Sequence, residues 1–472
     1  MCGIIGIIAK KEAAPSLVEG LKRLEYRGYD SAGIATIENG VIERCRAKGK
    51  LINLEEKLKT HSTFGHVGIT RWATHGIPNE ENAHPHATDK VAVVHNGIIE
   101  NYREIKDELS ESQVHFESET DTEVIVHLIS SYLTQGLAPK DAAFKALDRL
   151  EGAYSLAIIF AGEEELMIGA RHGTPLAIGY GDGEMFLASD SYALAPLTKK
   201  ISFLEDGDRT VVTRDGVTVY DNDNNPVERQ IRITAQSGAT TGKGEYRHFM
   251  LKEIYEQPAV IGDTLNSFVH PSTGHITLPD DIVETLHKSP RLTLVACGTA
   301  YYACMVAKYW FEQFARIPCE IDVASEFRYR EAPMPEGGVA IFVSQSGETL
   351  DTLEALRYCK RQGQKILSIV NTIESTIERE SDFVLHTLAG PEIGVASTKA
   401  FTTQLTTLAC LALALGVKRG KIDTAQEQEI ADALRSIPTE AANILNHDDE
   451  IRNIAKELID AKDMLYIGRG LL

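Results

Sequence analysis

Residues 337–363, GGVAIFVSQSGETLDTLEALRYCKRQG, hold the pattern that decides the fold of the C-terminal half. A continuous apolar run, VAIFV, leads into a polar turn and then into a segment with apolar residues at helical spacing. The same order occurs in RLTLVACGTA (291–300) and the apolar segment behind it, and in QKILSIVNT (364–372). Continuous apolar strands that alternate with helices are typical of a parallel sheet covered on both faces. The sequence therefore predicts an α/β domain over residues 249–424.

Three polar turns of this domain precede apolar helical segments: ACGT (296–299), SQSGET (344–349) and VASTKAF (395–401). Hydroxyls and backbone amides at helix N-termini favour anions, and open parallel sheets bind ligands beyond the carboxyl ends of their strands. The turns predict a site for a small phosphorylated molecule. The alternative is that their hydroxyls only cap helices. Neither nucleotide-binding glycine motif occurs, which argues against a nucleotide.

A Gly-rich polar stretch, SGATTGKGE, predicts a linker over residues 236–248. Before it, two segments at 12–27 and 121–136 have helical spacing. Nine short apolar or β-branched segments predict strands: GIIGIIA, AGIATIE, VGITRWA, VAVVHNG, AYSLAIIF, LMIGAR, PLAIGY, MFLASD and RTVVT. Many strands with few helices predict an α+β domain of stacked antiparallel sheets over residues 1–235.

A third segment begins at about residue 425 with helical sequence and ends in AKDMLYIGRGLL. The stretch MLYIGRG (464–470) is similar to LTLVACGT, a buried strand that runs into a Gly-containing turn. We therefore expect residues 425–472 to be the start of a second α/β unit, cut short after its first strand.

Composition limits the function classes. The 472 residues carry a formal charge of −20, which argues against nucleic acid or an anionic membrane as the main partner. No stretch is apolar enough for a membrane span, and the first residues lack the charged-then-apolar order of a signal peptide. Seven cysteines without a C-x-x-C pair fit reduced thiols. We expect a cytoplasmic protein.

Cys2 stands directly behind the initiator methionine, in MCGIIGII. Removal of Met1 would give this residue both a free α-amine and a thiol, which could serve as general base and nucleophile. The alternative is a small residue at the start of a buried strand. Position alone leaves both open.

Ordered motifs resemble a known family. MCGI, EYRGYDSAG, TRWATHG, NAHPH, VVHNGIIEN and SETDTEVI resemble the glutaminase domain of the class with an N-terminal nucleophile. HFMLKEIYEQP, ACGT, ASEFRYR, SQSGET and EIGVASTKAFTTQ resemble the sugar-isomerase (SIS) half of the glutamine–fructose-6-phosphate aminotransferases. The resemblance runs from residue 1 to about 470 in the family's order.

The resemblance implies a role for each motif in glutamine hydrolysis. Cys2 would be the nucleophile, with Asn96 and the backbone of Gly97 as the oxyanion hole. Arg71 would bind the glutamine α-carboxylate and Asp121 its α-ammonium group. Four further residues would line this pocket or support Cys2: Trp72, Thr74, His75 and Arg27.

In the other half, the resemblance implies a site for fructose 6-phosphate formed by Thr299, Ser344, Gln345, Ser346, Thr349, Val395 and Ser397. Ammonia from L-glutamine would pass to D-fructose 6-phosphate, giving D-glucosamine 6-phosphate and L-glutamate. The family's isomerisation residues lie in a region that these 472 residues do not include, so complete synthase activity is what the full-length family implies. The resemblance also implies a homodimer through the sugar-isomerase half and no cofactor.

Alternatives remain at this point. The chain could only hydrolyse glutamine while binding a sugar phosphate, could serve a different acceptor, or could be a non-catalytic sugar-phosphate sensor. Arg71 and Asp121 could form an ordinary surface pair, and His75 could be a core histidine. The four residues His75, His84, His86 and His95 could suggest a metal site, but no regular spacing or carboxylate completes a ligand set, and we expect no metal.

Overall fold

The computed structural model describes residues 3–24, 31–61, 65–73, 79–235, 242–270 and 272–468, apart from the side chains of residues 72 and 73. The chain divides into two compact units, Met1–Thr241 and Gly242–Leu472. Cys2, Arg27, Thr74 and His75 lie outside the described residues.

The first unit contains fifteen strands over its described residues: β1 (Gly3–Ile8), β2 (Ser31–Glu38), β3 (Val41–Lys48), β4 (Val67–Ala73), β5 (His86–Ala87), β6 (Val91–Ile99), β7 (Gly152–Phe160), β8 (Leu166–His172), β9 (Ala177–Tyr180), β10 (Met185–Ala188), β11 (Lys200–Phe203), β12 (Arg209–Thr213), β13 (Gly216–Tyr220), β14 (Pro226–Val227) and β15 (Arg232–Ile233). Its helices are α1 (Ala13–Leu24), α2 (Leu51–Leu58), α3 (Tyr102–Glu111), α4 (Glu123–Thr134), α5 (Pro139–Leu147) and α6 (Ser191–Leu194).

These strands form two antiparallel sheets, in the orders β15-β11-β9-β10-β1-β4-β2-β3 and β14-β13-β12-β8-β7-β6-β5. One core lies between the sheets, where Ile4 and Ile8 of β1 pack in the same cluster as Val94 of β6. Helices α1 and α2 cover the outer face of the first sheet, and α3, α4 and α5 cover that of the second. The predicted stacked α+β architecture is confirmed.

Strand β1 shows why GIIGII contains no polar residue. Ile5 and Ile7 point into the core under α1, while Ile4 and Ile8 point into the core between the sheets. Burying each isoleucine contributes about 1.5–3 kcal/mol. A strand buried on both faces fixes the chain directly behind Cys2 in the centre of the sheet.

The second unit contains a five-stranded parallel sheet of order β17-β16-β18-β19-β20. The strands are β16 (Leu292–Ala296), β17 (Cys319–Val323), β18 (Val339–Ser344), β19 (Lys365–Val370) and β20 (Phe383–His386). The helices are α7 (Phe249–Asn266), α8 (Asp280–Lys288), α9 (Gly298–Trp310), α10 (Ala324–Arg330), α11 (Leu350–Arg361), α12 (Thr376–Glu380), α13 (Lys399–Lys418), α14 (Thr424–Leu445) and α15 (Asp448–Glu457), and a π-helical segment, Phe311–Ala315, continues α9.

Helices cover both faces of this sheet, as predicted. Helices α7, α8, α9, α13 and α14 contribute to the core on one face, and α10, α11 and α12 to the core on the other. Among the described helices, α13 alone is long and apolar enough to cross a membrane, and 72% of the window that meets this test is buried inside the unit.

The structure differs from the sequence-based expectation after residue 424. Ala431 of α14 is buried in the same core as α13. Residues 461–468 form neither helix nor strand, and Leu465, Tyr466 and Ile467 are 84–87% exposed. The strand predicted at 464–470 is therefore absent over its described part. The physical reason is that no strand among the described residues pairs with its backbone.

Candidate active site

The described glutaminase candidates come from both sheets of the first unit and from the segment before α4. The antiparallel register of β1 and β4 sets Ile4 opposite Arg71 and Gly3 opposite Trp72, so the N-terminal end of β1 lies beside Arg71. Asn96 and Gly97 are in β6, in the other sheet. The side chain of Trp72 is outside the described structure, although its backbone forms part of β4.

A hydrogen-bonded chain of buried side chains joins Arg71 to Asp121. Arg71 Nη1 contacts the ring nitrogens of His84. His84 Nε2 lies 2.8 Å from Thr122 Oγ1, and His95 Nδ1 lies 2.9 Å from the same hydroxyl. Thr122 Oγ1 in turn donates to Asp121 Oδ1 at 3.4 Å.

The donors and acceptors that each side chain carries determine the direction of these hydrogen bonds. Burial lowers the pKa of His84 well below its usual range, an effect that the neighbouring Arg71 charge reinforces. Burial also lowers the pKa of His95, to about 4. Both rings are therefore neutral near pH 7. A neutral His84 has one acceptor and one donor nitrogen, so it can accept from Arg71 and donate to Thr122, and Thr122 can accept from both histidines while its single proton goes to Asp121.

This network excludes one alternative. Arg71 is only 3% exposed, so the interpretation of Arg71 and Asp121 as an ordinary surface pair is wrong. Asp121 Oδ2 also accepts the backbone N–H of Ile99 at 2.8 Å, which fixes the carboxylate next to the strand that carries Gly97. The arrangement holds one positive and one negative side chain in place, as binding of a zwitterionic amino acid requires.

The backbone conformation of β6 requires a glycine at position 97. Its φ is +139°, and a Cβ at this position would lie 1.9 Å from the carbonyl oxygen of Ala153 on β7. Only glycine fits such an approach. The preceding residue, Asn96, is buried, and its carbonyl oxygen accepts a hydrogen bond from Thr174 Oγ1 at 3.1 Å.

The histidines around this site serve as hydrogen-bond partners. His86 Nε2 lies 3.0 Å from Thr120 Oγ1, and burial lowers the pKa of His86 to about 3. Within the described ranges, no group of three or more His, Cys, Asp or Glu side chains is arranged to hold a metal ion. His84 and Thr122 were not predicted to be functional; the motif NAHPH contained the signal for His84.

The predicted sugar-phosphate residues occupy the turns after neighbouring parallel strands. Strands β16 and β18 pair in parallel, so the turns that follow them lie at the same edge of the sheet. Thr299 is exposed in the first turn of α9. Ser344, Gln345, Ser346 and Thr349 lie between β18 and α11.

The turn after β18 is built on its own hydroxyls and one glycine. Ser344 Oγ accepts the Gly347 N–H at 3.0 Å, and Ser346 Oγ accepts the Glu348 N–H at 3.2 Å. Thr349 is the N-cap residue of α11 but makes no side-chain cap hydrogen bond. Gly347 has φ +63°, and a Cβ there would lie 2.0 Å from Ser375 Oγ. Simple helix capping therefore does not account for Thr349.

Val395 and Ser397 lie in the segment between β20 and α13. Asn371, which sequence reasoning missed, links this segment to the turn after β18. Its backbone N–H donates to the Gln345 carbonyl at 3.2 Å, while its side chain accepts from the Ala389 N–H and donates to the Gly390 carbonyl. Asn371 thus connects the turn after β18 to residues 389 and 390, which precede the third predicted turn in the chain.

The side chain of Glu392, which lies before α13 in the chain, binds the N-terminus of that helix. Its Oε1 accepts the backbone N–H groups of Thr398 and Ala400 at 2.9 and 3.1 Å, and its Oε2 accepts the Ser397 hydroxyl at 3.0 Å. These donors are engaged within the protein, so the anion-binding geometry is expected mainly from the first two turns.

Comparison with known proteins assigns a domain family to each of the two units. The glutamine amidotransferase domain family matches residues 71–196, and the SIS domain family matches residues 285–414. A glutamine–fructose-6-phosphate aminotransferase (isomerizing) from Mesorhizobium japonicum is 56% identical over 99% of this chain and 77% of the relative. Its counterpart from Brucella abortus is 55% identical over 100% of the chain and 78% of the relative.

The chain belongs to the glutamine–fructose-6-phosphate aminotransferase family. The solved C-terminal domain of glucosamine-fructose-6-phosphate aminotransferase from Francisella tularensis aligns with 49% of this family member and 65% of that chain, at 41% identity and a TM-score of 0.47. The family thus accounts for the order of the two domains in the sequence, a glutamine amidotransferase domain followed by an SIS domain.

Proposed function

We propose that this chain transfers the amide nitrogen of L-glutamine to D-fructose 6-phosphate, giving D-glucosamine 6-phosphate and L-glutamate. The observation that carries the proposal is the match, over essentially the whole chain, to aminotransferases with this acceptor in their name. The presence of both domains on one chain supports an enzyme that produces ammonia in one unit and uses it in the other.

In the first half-reaction, the thiolate of Cys2 attacks the side-chain amide carbon of glutamine. The α-amine of Cys2 takes the thiol proton, and the oxyanion is held by the Asn96 side chain and the Gly97 N–H. Collapse of the tetrahedral intermediate breaks the C–N bond and releases ammonia, with a proton returned to the nitrogen. Water then hydrolyses the thioester to glutamate. The Arg71–His84–Thr122–Asp121 chain supports this proposal because it orients both groups that would hold the amino-acid end of glutamine.

Four further residues complete the proposed glutaminase pocket. Trp72, Thr74 and His75 would line it, and Arg27 would support the Cys2 terminus. All four belong to motifs of the family resemblance.

In the second half-reaction, ammonia adds to the C2 carbonyl of fructose 6-phosphate, the C2 oxygen leaves as water to give an imine, and isomerisation of the imine gives the amino sugar. We propose that the phosphate is bound by the backbone amides and hydroxyls of the turns that hold Thr299, Ser344, Gln345, Ser346 and Thr349, with Val395 and Ser397 closing over the sugar. Parallel strands that end at one edge, with helix N-termini behind them, support an anion site there.

We further propose a cytoplasmic homodimer, formed through the second unit, that requires no metal or cofactor. The negative formal charge and the free described cysteines support the compartment. Helix α9 supports the dimer, because Tyr302, Met305 and Tyr309 are exposed at helical spacing and form an apolar surface. We retain the boundaries 1–235, 249–424 and 425–472 as proposed domains.

The deciding experiment supplies the chain with glutamine and fructose 6-phosphate and measures glutamate and glucosamine 6-phosphate in parallel. Equal amounts of both products support the full reaction. Glutamate alone supports the second candidate, glutamine hydrolysis with sugar-phosphate binding. Neither product, together with measurable fructose 6-phosphate binding, would favour a sensor and contradict the enzyme.

A further inference from the structure

The segment 390–398, which we call the sugar loop, is held in place by helix α7. The loop lies between β20 and α13 and contains Val395, which is 78% exposed. An exposed apolar residue in a loop needs a fixed backbone if it is to meet a ligand at a defined position. The contacts that hold the backbone of the loop therefore contribute to where Val395 and Ser397 lie.

Glu253 of α7 holds the N-terminal part of the sugar loop. Its side chain is buried, and Oε1 accepts the backbone N–H groups of Ile393 at 2.5 Å and Gly394 at 3.0 Å. Oε2 also lies 3.1 Å from the Gly394 nitrogen. A buried carboxylate is costly unless it is paired or hydrogen-bonded, and here backbone donors of the loop fill that role.

Glu256, one helical turn further along α7, holds Lys399, the first residue of α13, which directly follows the loop. Its Oε2 accepts from the buried Lys399 Nζ at 2.7 Å, and its Oε1 lies 3.2 Å from Lys252 Nζ. Burial by itself raises the pKa of Glu256. The hydrogen bonds and charges of Lys399 and Lys252 lower the pKa by a larger amount, so it lies below its usual value. One face of α7 thus contacts the sugar loop before Val395 and the first residue of α13, directly behind the loop.

Gly394 shows how close this approach is. A Cβ at Gly394 would lie 2.5 Å from Glu253 Oε2 and 3.3 Å from the Cα of Met250, also on α7. Even a methyl group would move the loop away from the helix. The absence of a side chain at Gly394 therefore allows the two backbone hydrogen bonds to Glu253.

We propose that Glu253 is a positioning residue for sugar binding. By fixing the backbone of the sugar loop, it places Val395 and Ser397 where they contact the fructose part of fructose 6-phosphate. This inference rests on the proposed function. It assigns no contact between Glu253 and the substrate. The phosphate is bound by the turn after β18, so Glu253 acts on recognition of the sugar and not on recognition of the phosphate.

The test compares Glu253→Gln with wild type in two binding measurements, one with fructose 6-phosphate and one with inorganic phosphate. Glutamine retains one acceptor oxygen but loses the charge, and a hydrogen bond to a charged group contributes enough for an expected loss of about tenfold in fructose 6-phosphate affinity. Inorganic phosphate affinity should stay within about twofold. Asp263→Asn is the matched control, because Asp263 is an exposed carboxylate on the same helix, and both affinities should be unchanged.

A second variant reaches the same contact from the loop. Gly394→Ala should also weaken fructose 6-phosphate binding without affecting inorganic phosphate. The double variant Glu253→Gln/Gly394→Ala should lose less than the product of the two single effects, because both act on one contact. If the double variant loses the full product of the two single losses in affinity, the two residues act independently, and the inference is contradicted.

The outcomes distinguish the inference from the function on which it rests. If the wild-type chain binds no fructose 6-phosphate, the proposed sugar site fails. If wild type binds it and Glu253→Gln binds it equally well, the positioning role fails while the function stands. An equal loss of both ligands would show a general structural role and would also overturn the inference.

Discussion

The two candidate sites of this chain offer different parts of the polypeptide to their proposed ligands. In the first unit, the proposed ligand-binding groups are charged side chains, Arg71 and Asp121, oriented by a buried chain of hydrogen bonds. In the second unit, they are mainly backbone amides and hydroxyls in turns shaped by Gly347. The difference follows from the ligands, because an amino acid presents two opposite charges at a fixed separation and a phosphate presents several equivalent oxygens.

The two sites should therefore tolerate different substitutions. A side-chain site fails when one charge or its support is removed, since the remaining partner stays buried without compensation. A backbone site tolerates the loss of single hydroxyls better than the loss of the glycine that sets its conformation. Four substitutions test these statements.

Cys2→Ala gives the largest expected effect. It should reduce glutamine hydrolysis by about four orders of magnitude or more, because nucleophile removal leaves only binding and oxyanion stabilisation. Glutamate release measures the effect, and fructose 6-phosphate affinity should be unchanged. A glutamine-analogue electrophile should label one thiol per chain. Burial raises the pKa of Cys45, which should therefore stay unlabelled; labelling of Cys45 would contradict the assignment.

Arg71→Ala should raise the KM for glutamine by about 30-fold to 5,000-fold, since truncating one partner of a buried charge pair typically costs about 2–5 kcal/mol. Arg71→Lys should recover little, because lysine cannot make the paired contacts of a guanidinium group. Steady-state glutamate release gives both constants. A normal KM in either variant would remove Arg71 from the glutamine site.

Gly347→Ala should weaken fructose 6-phosphate binding by about tenfold or more, because a Cβ would meet Ser375 Oγ at 2.0 Å. Gly363→Ala is the matched control. Gly363 also has a left-handed backbone, with φ +75°, but nothing lies within 4 Å of the position that its Cβ would take. Both variants should lose about 1–2 kcal/mol of stability from the left-handed conformation, and calorimetric titration should show that only the first loses affinity. Equal affinity losses would contradict a specific role for the turn.

His95→Gln should change the pH dependence of stability. In the folded chain the pKa of His95 is about 4, below the unfolded value of about 6.5, so the unfolded state binds more protons between these values. The stability contributed by the neutral ring is complete above pH 6.5. It is lost at about 1.4 kcal/mol per pH unit as the pH falls toward 4.

Urea denaturation at pH 7.0 and pH 5.0 measures this loss, and His95→Gln should reduce it by about 2 kcal/mol. The chain has two tryptophans, Trp72 in the first unit and Trp310 in the second. A Trp310→Phe background therefore reports the first unit alone. An unchanged pH dependence would contradict a neutral buried His95.

Sequence patterns predicted strongly apolar elements well and amphipathic or short ones poorly. All nine predicted strands of the first unit are present. Strand β3, VIERCRAK, was missed because it is an edge strand whose charged side chains interrupt the apolar alternation. Helix α3, YREIKDELSE, was missed because it buries only Ile105 and Leu109.

The candidate sites divide in the same way. Sequence motifs suggested Arg71, Asp121 and the turn after β18, because these residues belong to contiguous patterns. They did not suggest Thr122, Asn371 or Glu253, whose roles depend on partners far away in the chain.

By itself, the sequence determined the order of the two domains, the parallel and antiparallel character of their sheets and the family. These properties follow from hydrophobic periodicity and contiguous motifs, which are local features of the chain. Only the tertiary structure decided that His84 and His95 are neutral hydrogen-bond partners and that α7 holds the sugar loop. Burial, and with it the protonation and hydrogen-bond role of a side chain, depends on neighbours that folding brings together across many residues of sequence.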